Sequence, residues 1–391
     1  MFSQIAAVTS INLRSIPQRW GMSLATILSI ALVVGVLLGF LAMANGFRAT
    51  VNGTGSESIA VLLRSGSQAE LNSGFGRDTV RLIETAPGIA RDADGAAILS
   101  AELYVITDAT KRSTGNDASL SLRGVDEMAP RLRENFQMVE GRMFAEGSNE
   151  IIVGEGVIRE FSGFNLGETI RMGPNEWRVV GVFSTGGSVF DSEIWADVGT
   201  VQNLYNRGAS YQSIRVRLDG ENGLSELQAY AENEPRLDLD VTTEKEFFAQ
   251  SAGGLSNLIM YLGWPLAIIM AVGALAGAWN AMYASVDSRV REIATLRTLG
   301  FSGFAAFVGT LVESLMLAFI GGLVGALITY FVFDGVSAST MGGSFTQVVF
   351  SFAVTIQSVI SGVILALVVG LFGGFFPALR ASRVPLLEAH G

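Results

Sequence analysis

The chain has 391 residues, of which 49% are hydrophobic and only 16% are charged, and its formal net charge is −10. Soluble domains carry roughly 25% charged residues, so the composition argues against a wholly soluble protein, and the acidic balance argues against nucleic acid as a partner. The sequence has no cysteine and one histidine, His390, which excludes disulfides, thiol nucleophiles and histidine-based metal or catalytic clusters.

Four apolar blocks exceed the roughly 18–20 residues that cross a bilayer as a helix. One block precedes a long stretch of ordinary soluble composition, and three follow it. The sequence therefore predicts a membrane protein with four transmembrane α-helices, arranged 1 + 3, and a large α+β periplasmic domain inserted between helices 1 and 2. The predicted segments are a cytoplasmic N-terminal segment 1–20, TM1 21–45, the external domain 46–255, TM2 256–285, a cytoplasmic coupling helix 286–303, TM3 304–333, a short external loop 334–349, TM4 350–378 and a cytoplasmic tail 379–391.

Orientation follows from the arginines of the short segments, where the positive-inside rule applies. Basic residues lie before TM1, between TM2 and TM3, and after TM4, whereas 334–349 has none. We therefore expect both termini and segment 286–303 in the cytoplasm, and the domain 46–255 outside. The first block is longer than the roughly 7–15 apolar residues of a signal peptide, so we expect it to remain as an anchor.

Within 46–255, alternating apolar runs between turn signals predict strands, and one amphipathic run, 77–85, predicts a helix. The strand candidates are 58–63, 97–106, 150–153, 176–183 and 213–218. No catalytic or metal-binding constellation is recognisable. The adjacent acids Asp126 and Glu127 are interpreted as solvated surface, because neighbouring residues do not face one site.

Glycines spaced by four recur in every apolar block and predict close helix packing, although a glycine-rich chain also forms such pairs by chance. The pairs are Gly35 and Gly39, Gly273 and Gly277, Gly321 and Gly325, and Gly370 and Gly374. TM3 also contains one acid, Glu313. Because a carboxylate is costly in a membrane, Glu313 should face protein or water, either as a switch contact or as a snorkelled or protonated acid bonded to a neighbouring helix.

The segment 285–302 reads SVDSRVREIATLRTLGFS and predicts a short amphipathic helix closed by Gly300 and Phe301 in a Schellman motif. It could rest on lipid headgroups or dock into a groove of a soluble partner. Its modest apolar stripe and mixed charge favour docking.

This loop, the 1 + 3 plan and the external runs VEGRMF and EIIVGEGV resemble the permease subunits of the MacB, LolC/LolE and FtsX superfamily of ABC transporters. The resemblance covers nearly the whole chain and identifies 286–300 as the coupling helix. The residues implied to engage an ATPase are Val290, Arg291, Glu292, Ile293, Leu296, Arg297, Leu299 and Gly300.

The resemblance implies a non-catalytic subunit that transmits ATP-driven motion to the periplasmic side of a bacterial inner membrane, for export, efflux or lipoprotein extraction. The alternative is an FtsX-like subunit that activates an external cell-wall hydrolase. The implied partners are an ABC-type ATPase subunit carrying ATP and Mg²⁺, a second permease copy or paralogue, a periplasmic adaptor or lipoprotein carrier, and membrane lipid.

The sequence itself favours an ATPase on another chain. A phosphate-binding loop needs lysine after glycine, and the two lysines, Lys111 and Lys245, follow Thr110 and Glu244. Both lie in the domain expected outside the membrane. We therefore expect no cofactor in this chain.

Overall fold

The computed structural model describes residues 2–173, 175–341 and 347–384. The tail from 385 onward, with His390, lies outside the described residues. The chain divides into two compact units. The membrane unit comprises residues up to Asn45, Asn257–Val336, and those from Phe352 onward, and the α+β unit comprises Gly46–Ser256 and Ser337–Ser351.

The membrane unit is built from helices. Its elements are α1 (Phe2–Ser15), a 3₁₀ turn (Ile16–Arg19), α2 (Trp20–Asn52), α7 (Glu244–Asp287), α8 (Val290–Thr298), α9 (Gly303–Phe333) and α10 (Ile356–Ser382), of which α2 and α7 begin or end in the α+β unit. Four helices of the described chain are long and apolar enough to cross a membrane, and they belong to Phe2–Asn52, Asn257–Asp287, Gly303–Phe333 and Ile356–Ser382. The predicted 1 + 3 arrangement is therefore present.

Two of the membrane helices, α9 and α10, begin at a side chain that caps them. Ser302 Oγ accepts a hydrogen bond from the amide of Ala305 at the start of α9, and Thr355 Oγ1 accepts one from Ser358 at the start of α10. Membrane helices then need no further polar partners, because their backbone groups bond within the helix.

Several helix bounds differ from those that hydropathy predicts. The N-terminal segment 1–20 contains α1, α2 continues past residue 45 to Asn52, and α7 begins at Glu244 instead of 256. TM4 does not begin at 350, because Phe350 lies in a strand and Thr355 caps α10. Hydropathy detects only the apolar part of a helix, so polar extensions are missed.

The α+β unit contains a ten-stranded sheet in the order β12-β1-β11-β3-β4-β9-β6-β8-β5, with β7 paired to β8. Its strands are β1 (Ile59–Arg64), β3 (Leu99–Thr110), β4 (Asp117–Val125), β5 (Gln137–Gly141), β6 (Glu150–Gly154), β7 (Thr169–Met172), β8 (Asn175–Ser184), β9 (Glu193–Asp197), β11 (Ser213–Arg217) and β12 (Leu239–Thr243). The pairs β4–β9 and β6–β8 are parallel, and the other pairs are antiparallel. The predicted strands are confirmed as β1, β3, β6, β8 and β11.

Four helices accompany this sheet, and two short strands pair apart from it. The helices are α3 (Arg77–Glu84), α4 (Glu155–Glu160), α5 (Val198–Leu204) and α6 (Gly223–Asn233), and the separate pair is β2 (Phe75–Gly76) with β10 (Ser210–Tyr211). The helix predicted at 77–85 is confirmed as α3.

One face of the sheet carries two apolar cores. Alternate residues of β3 serve both, since Leu99 and Ala101 belong to one core and Leu103 and Val105 to the other. Successive side chains of a strand point to opposite faces, so Glu102 of β3 lies on the second face. That second face is buried as well, because Glu102 is fully inaccessible.

The segment between α9 and α10 is not a simple loop. It forms a hairpin of β13 (Ser337–Met341) and β14 (Gln347–Ser351) that belongs to the α+β unit. The amide of Val349 donates to Ser192 Oγ at 2.9 Å, and Lys111 Nζ donates to Ser339 Oγ at 2.6 Å. The predicted loop 334–349 therefore contributes two strands to the external domain.

Candidate functional site at the α7–α8–α9 junction

The turn between α7 and α8 places the predicted coupling helix. Ser285 and Val286 close α7, and Arg289 precedes the first turn of α8, where its carbonyl accepts from the amide of Ile293 at 2.9 Å. At the other end, Gly300 has a φ of +93° and Phe301 donates to the carbonyl of Leu296 at 3.1 Å. This is the predicted Schellman closure, which is confirmed.

The apolar stripe of α8 packs against the rest of the membrane unit. Ile293 is 8% exposed and Ala294 is fully buried, and both join a cluster with Val286, Ala306 and Ala381. The stripe that predicted an amphipathic helix therefore packs against other parts of this chain. In this structure the side chain of Ile293 faces inward, and its contact with an ATPase stays a prediction.

The other residues predicted to engage an ATPase differ in how exposed their side chains are. Val290 and Leu296 are half-buried, and Arg297 is half-buried with its guanidinium bonded to the carbonyl of Val384. The outward face consists of exposed residues of α8 and its closing turn, namely Arg291, Glu292, Thr295, Thr298, Leu299 and Gly300. We call this set the outer face of α8.

Behind α8 lies an ion-pair cluster centred on Glu313. Arg289 Nη2 and Glu313 Oε2 are 2.6 Å apart, and Arg19 Nη1 lies 3.8 Å from Glu313 Oε1. Arg289 is 4% exposed and Glu313 is 2% exposed. Arg289 also donates to Asn12 Oδ1 at 2.8 Å, and Ser285 Oγ donates to Glu313 at 3.4 Å.

This cluster joins four helical segments at one carboxylate. Asn12 comes from α1, Arg19 from the turn before α2, Ser285 from α7, and Glu313 from α9. A guanidinium binds a carboxylate by charge-assisted hydrogen bonds, which are stronger and more directional than neutral ones. The position of Arg289, and hence the start of α8, is therefore tied to α9.

Sequence reasoning placed Glu313 correctly against protein but missed its partners. Its carboxylate lies beside two guanidinium groups, those of Arg19 and Arg289. Arg289 lies in the segment predicted as an amphipathic helix, but it precedes α8 and is buried. These partners could have been suspected from the sequence, because an acid inside the membrane usually pairs with a base. Arg19 and Arg289 are the candidates, since they flank the spans that neighbour TM3.

The glycine pairs of α9 and α10 face neighbouring helices closely. A Cβ at Gly321 would lie 2.9 Å from the carbonyl oxygen of Ile27, and one at Gly325 would lie 2.6 Å from that of Ala31. Cβ atoms at Gly370 and Gly374 would overlap the side chains of Ala318 and Ser314. These four glycines allow α9 to approach α2 and α10 to approach α9.

The other pairs are looser within the described chain. A Cβ at Gly35 or Gly277 would meet its nearest atom at 3.6 or 3.8 Å, and one at Gly39 or Gly273 would meet none of the described atoms within 4 Å. Gly35 and Gly39 line an apolar groove of about 570 Å³ between α2 and α9. Packing of Gly39 and Gly273 against another helix stays a prediction.

The described residues contain no group of three or more histidine, cysteine, aspartate or glutamate side chains that could hold a metal ion. Glu313 of the junction is instead engaged with Arg289 and Arg19. The geometry of this site connects α7, α9 and the turn before α2 through ion pairs and hydrogen bonds.

Comparison with known proteins agrees with this architecture. The model of the MacB-like periplasmic core domain matches residues 23–234, and that of the FtsX-like permease C-terminal domain matches residues 265–386. The chain belongs to the MacB/FtsX-like permease family. The coupling segment and Glu313 both lie within the FtsX-like match.

Curated relatives of this family are longer. The macrolide export ATP-binding/permease protein MacB of Hyphomonas neptunium is 26% identical over an alignment 414 positions long. This alignment covers 99% of this chain and 61% of the relative. The corresponding protein of Vibrio parahaemolyticus is 24% identical, with 86% of this chain and 55% of the relative covered. The chain thus spans about three fifths or less of the length of these relatives.

Two solved structures are similar to about half of this MacB/FtsX-like chain. The periplasmic region of MacB from Actinobacillus actinomycetemcomitans matches 52% of this chain and 96% of its own, with 15% identity and a TM-score of 0.39. The extracellular domain of the transporter YknZ from Gram-positive bacteria matches 47% of this chain and 100% of its own, with 15% identity and a TM-score of 0.34.

Proposed function

We propose that this chain is the permease subunit of an ABC transporter and that a separate cytoplasmic ATPase subunit binds the outer face of α8. The observation that carries the proposal is the division of α8. Its apolar side is occupied by the chain's own core, while Arg291, Glu292 and Leu299 are exposed. A face of mixed charge with one exposed leucine suits a protein groove better than a lipid surface, which favours basic and bulky apolar residues.

The orientation is part of the proposal. Both termini and α8 lie in the cytoplasm of a bacterial inner membrane, and the α+β unit lies in the periplasm. The arginines of the short segments, among them Arg14, Arg291 and Arg380, support this arrangement through the positive-inside rule.

Force from the ATPase reaches the helices through the Glu313 cluster. Closure of two ATPase subunits on ATP and Mg²⁺ displaces α8, and the bond between Arg289 and Glu313 carries that displacement to α9. Because Arg289 also bonds Asn12, α1 moves with it. The partner of this chain in the membrane is a second permease, either a copy or a paralogue.

On the periplasmic side, the displacement of the helices acts on cargo bound to the α+β unit or to an adaptor or lipoprotein carrier. The match of residues 23–234 to a MacB-like core domain supports export, efflux or lipoprotein extraction over activation of a cell-wall hydrolase. The chain itself performs no catalysis in this scheme.

Site-specific photo-crosslinking tests the proposal. A photo-crosslinking residue replaces Arg291 in the full chain in native membranes, and one at Gln18, which is exposed in the turn before α2, serves as the control. We expect position 291 to capture a protein that mass spectrometry identifies by its Gly-Lys-Ser/Thr phosphate-binding loop. Capture only of lipid at position 291, or equal capture at both positions, would overturn the assignment.

A further inference from the structure

The second face of the large sheet buries a network of charged side chains. Its strand members are Glu102 of β3, Arg123 of β4, Glu193 of β9 and Arg215 of β11. Three further members approach from outside these strands, namely Glu70 of the 3₁₀ turn Glu70–Asn72, Arg133, and Glu244 at the start of α7. Each of the seven is at most 4% exposed.

The ion pairs in this network are close. Arg123 bonds Glu70 at 2.7 Å and Glu193 at 2.7 Å, and Arg133 bonds Glu102 at 2.7 Å. Burial alone would raise the pKa of Glu70, but Arg123 and Arg215 outweigh burial and hold this pKa well below its usual value. Glu102 behaves in the same way, since its three arginine neighbours lower its pKa despite burial. The carboxylates of Glu70 and Glu102 are therefore ionised and paired.

Glu244 differs from the other members because it belongs to the helix that continues into the membrane. It is the first residue of α7, and Arg215 Nε donates to its Oε1 at 2.9 Å. The same guanidinium uses Nη1 to bond Glu70 at 2.8 Å and Glu102 at 2.6 Å. Arg215 thus joins the start of α7 to two carboxylates, one of them in the centre of the sheet.

The segment that follows α2 also meets α7 at this point. Gly55 has a φ of +88°, and a Cβ there would lie 2.8 Å from the carbonyl carbon of Glu244. The amide of Lys245 donates to the carbonyl of Ser56 at 3.4 Å, and Lys245 Nζ lies 2.7 Å from Glu57. Two of the connections between the α+β unit and the membrane helices, the one after α2 and the one at the start of α7, are therefore held together beside Arg215.

We propose that Arg215 is a positioning residue that couples α7 to the sheet, so that displacement of α7 moves the α+β unit. This inference rests on the proposed function, because it assumes that nucleotide binding by an ATPase subunit moves the membrane helices. It identifies Arg215 and Glu244 as the residue pair through which the α+β unit receives that motion.

The chemistry of the guanidinium explains why the coupling is stiff. Arginine presents its donors in one rigid plane, so Glu244 cannot shift without turning the bonds to Glu70 and Glu102. A buried charge that loses its partner is strongly destabilising, which favours movement of the bonded groups together. An ion pair exposed to water is much weaker, so it would break when α7 moved and would not carry the sheet along.

The charge balance provides a matched control. The network has three arginines and four glutamates, so removal of either Glu244 or Glu193 leaves equal numbers of opposite charges. Glu193 bonds Arg123 and Trp195 Nε1 within the sheet. A role in stability alone predicts similar effects of Glu244→Ala and Glu193→Ala, whereas coupling through α7 predicts different ones.

The test uses the full chain with its ATPase subunit in lipid nanodiscs. Hydrogen exchange of β3 and β11 is compared between the nucleotide-free complex and the complex trapped with ATP and vanadate. We expect wild type and Glu193→Ala to show the same nucleotide-induced change in exchange, and Glu244→Ala to lose about two thirds of it or more while still binding the ATPase. Glu244→Gln, which keeps the side-chain shape, replaces Glu244→Ala if the latter does not fold.

A nucleotide response in Glu244→Ala as large as in wild type overturns the coupling role of Arg215 and leaves the proposed function intact. Equal loss in Glu193→Ala and Glu244→Ala also overturns it, because the network would then act through stability alone. A wild-type complex without any nucleotide response contradicts the proposed function itself and, with it, this inference.

Discussion

Arg289 and Glu313 lie 24 residues apart in the sequence, yet Arg289 Nη2 and Glu313 Oε2 are 2.6 Å apart in the core of the membrane unit. One residue stands at the start of α8, the proposed coupling helix, and the other lies within the third apolar span, α9. The pair therefore connects the segment expected to receive force with a helix expected to transmit it.

Loss of the Glu313 charge is expected to destabilise the membrane unit. Glu313→Gln leaves Arg289 and Arg19 without their acid, and breaking a buried pair costs about 3–5 kcal/mol. Thermal unfolding of the full chain in nanodiscs measures this loss. The double variant with Arg289→Gln should be less destabilised than the two single variants predict together, since their interaction is lost only once.

Glu292→Gln is the matched control, because Glu292 is an exposed acid on the neighbouring helix. Its effect on unfolding is expected to stay within about 0.5 kcal/mol. Equal destabilisation by Glu292→Gln and Glu313→Gln, or strict additivity of the double variant, would show that the pair is not a structural connection.

Two apolar residues of the coupling segment should respond differently to truncation. Ile293→Ala removes a side chain that is 8% exposed and is expected to cost about 2–5 kcal/mol of stability. Leu299 is 72% exposed, so Leu299→Ala should change stability by less than about 0.5 kcal/mol. Thermal unfolding of both variants measures this difference in stability. A larger loss of stability in Leu299→Ala than in Ile293→Ala would reverse the assignment of the inner and outer faces of α8.

The glycines of the membrane helices also provide a matched pair. A Cβ at Gly325 meets the backbone oxygen of Ala31, so Gly325→Ala is expected to cost about 1–3 kcal/mol through overpacking. Gly273→Ala meets no described atom and should be neutral or slightly stabilising, because alanine favours helix more than glycine. Unfolding of the isolated chain is the measurement, and equal effects of the two variants would refute the close approach of α9 to α2.

The stability of the α+β unit is expected to depend on pH through the carboxyl group of Asp126. Burial raises its pKa from 3.8 to about 6, and Glu102 adds to the rise, so the folded state prefers the protonated carboxyl. Ionisation above about pH 6 therefore opposes folding, and Asp126→Asn should be more stable than wild type there by about 1–2 kcal/mol.

This advantage of Asp126→Asn should shrink as the pH falls from 6 towards 4 and vanish below, where the unfolded carboxyl is protonated too. Parallel unfolding curves of the two chains at each pH isolate Asp126 from the other acids. A difference that grows on acidification would contradict a raised pKa. Asp126, interpreted from the sequence as solvated surface, is half-buried and its carboxylate accepts from the amides of Met128 and Ala129, whereas Glu127 is exposed as expected.

The sequence predicted the elements whose pattern is local. Four spans, five strands and the closure of α8 by Gly300 follow from apolar periodicity and turn chemistry, which need no knowledge of distant neighbours. The polar start of α7 at Glu244 was missed because hydropathy marks only the apolar part of that helix.

The candidate site was predictable only in part. Glu313 had to face protein, but its partner depends on how α7 and α9 pack, and sequence spacing does not encode that. Likewise, Glu102 and Arg215 alternate with apolar residues in their strands, which is the usual pattern of a face in water. Only the covering turns and the start of α7 show that this face is buried.

The central claim is that the outer face of α8 binds the ATPase subunit. Its most direct test is the dissociation constant of that ATPase for the chain in nanodiscs, measured for wild type, for Arg291→Glu combined with Leu299→Ala, and for Arg14→Glu as an exposed control on α1. We expect the double variant to bind about tenfold more weakly or worse, a loss of about 1.4 kcal/mol or more, and the control to bind like wild type. Unchanged affinity in the double variant would contradict the account.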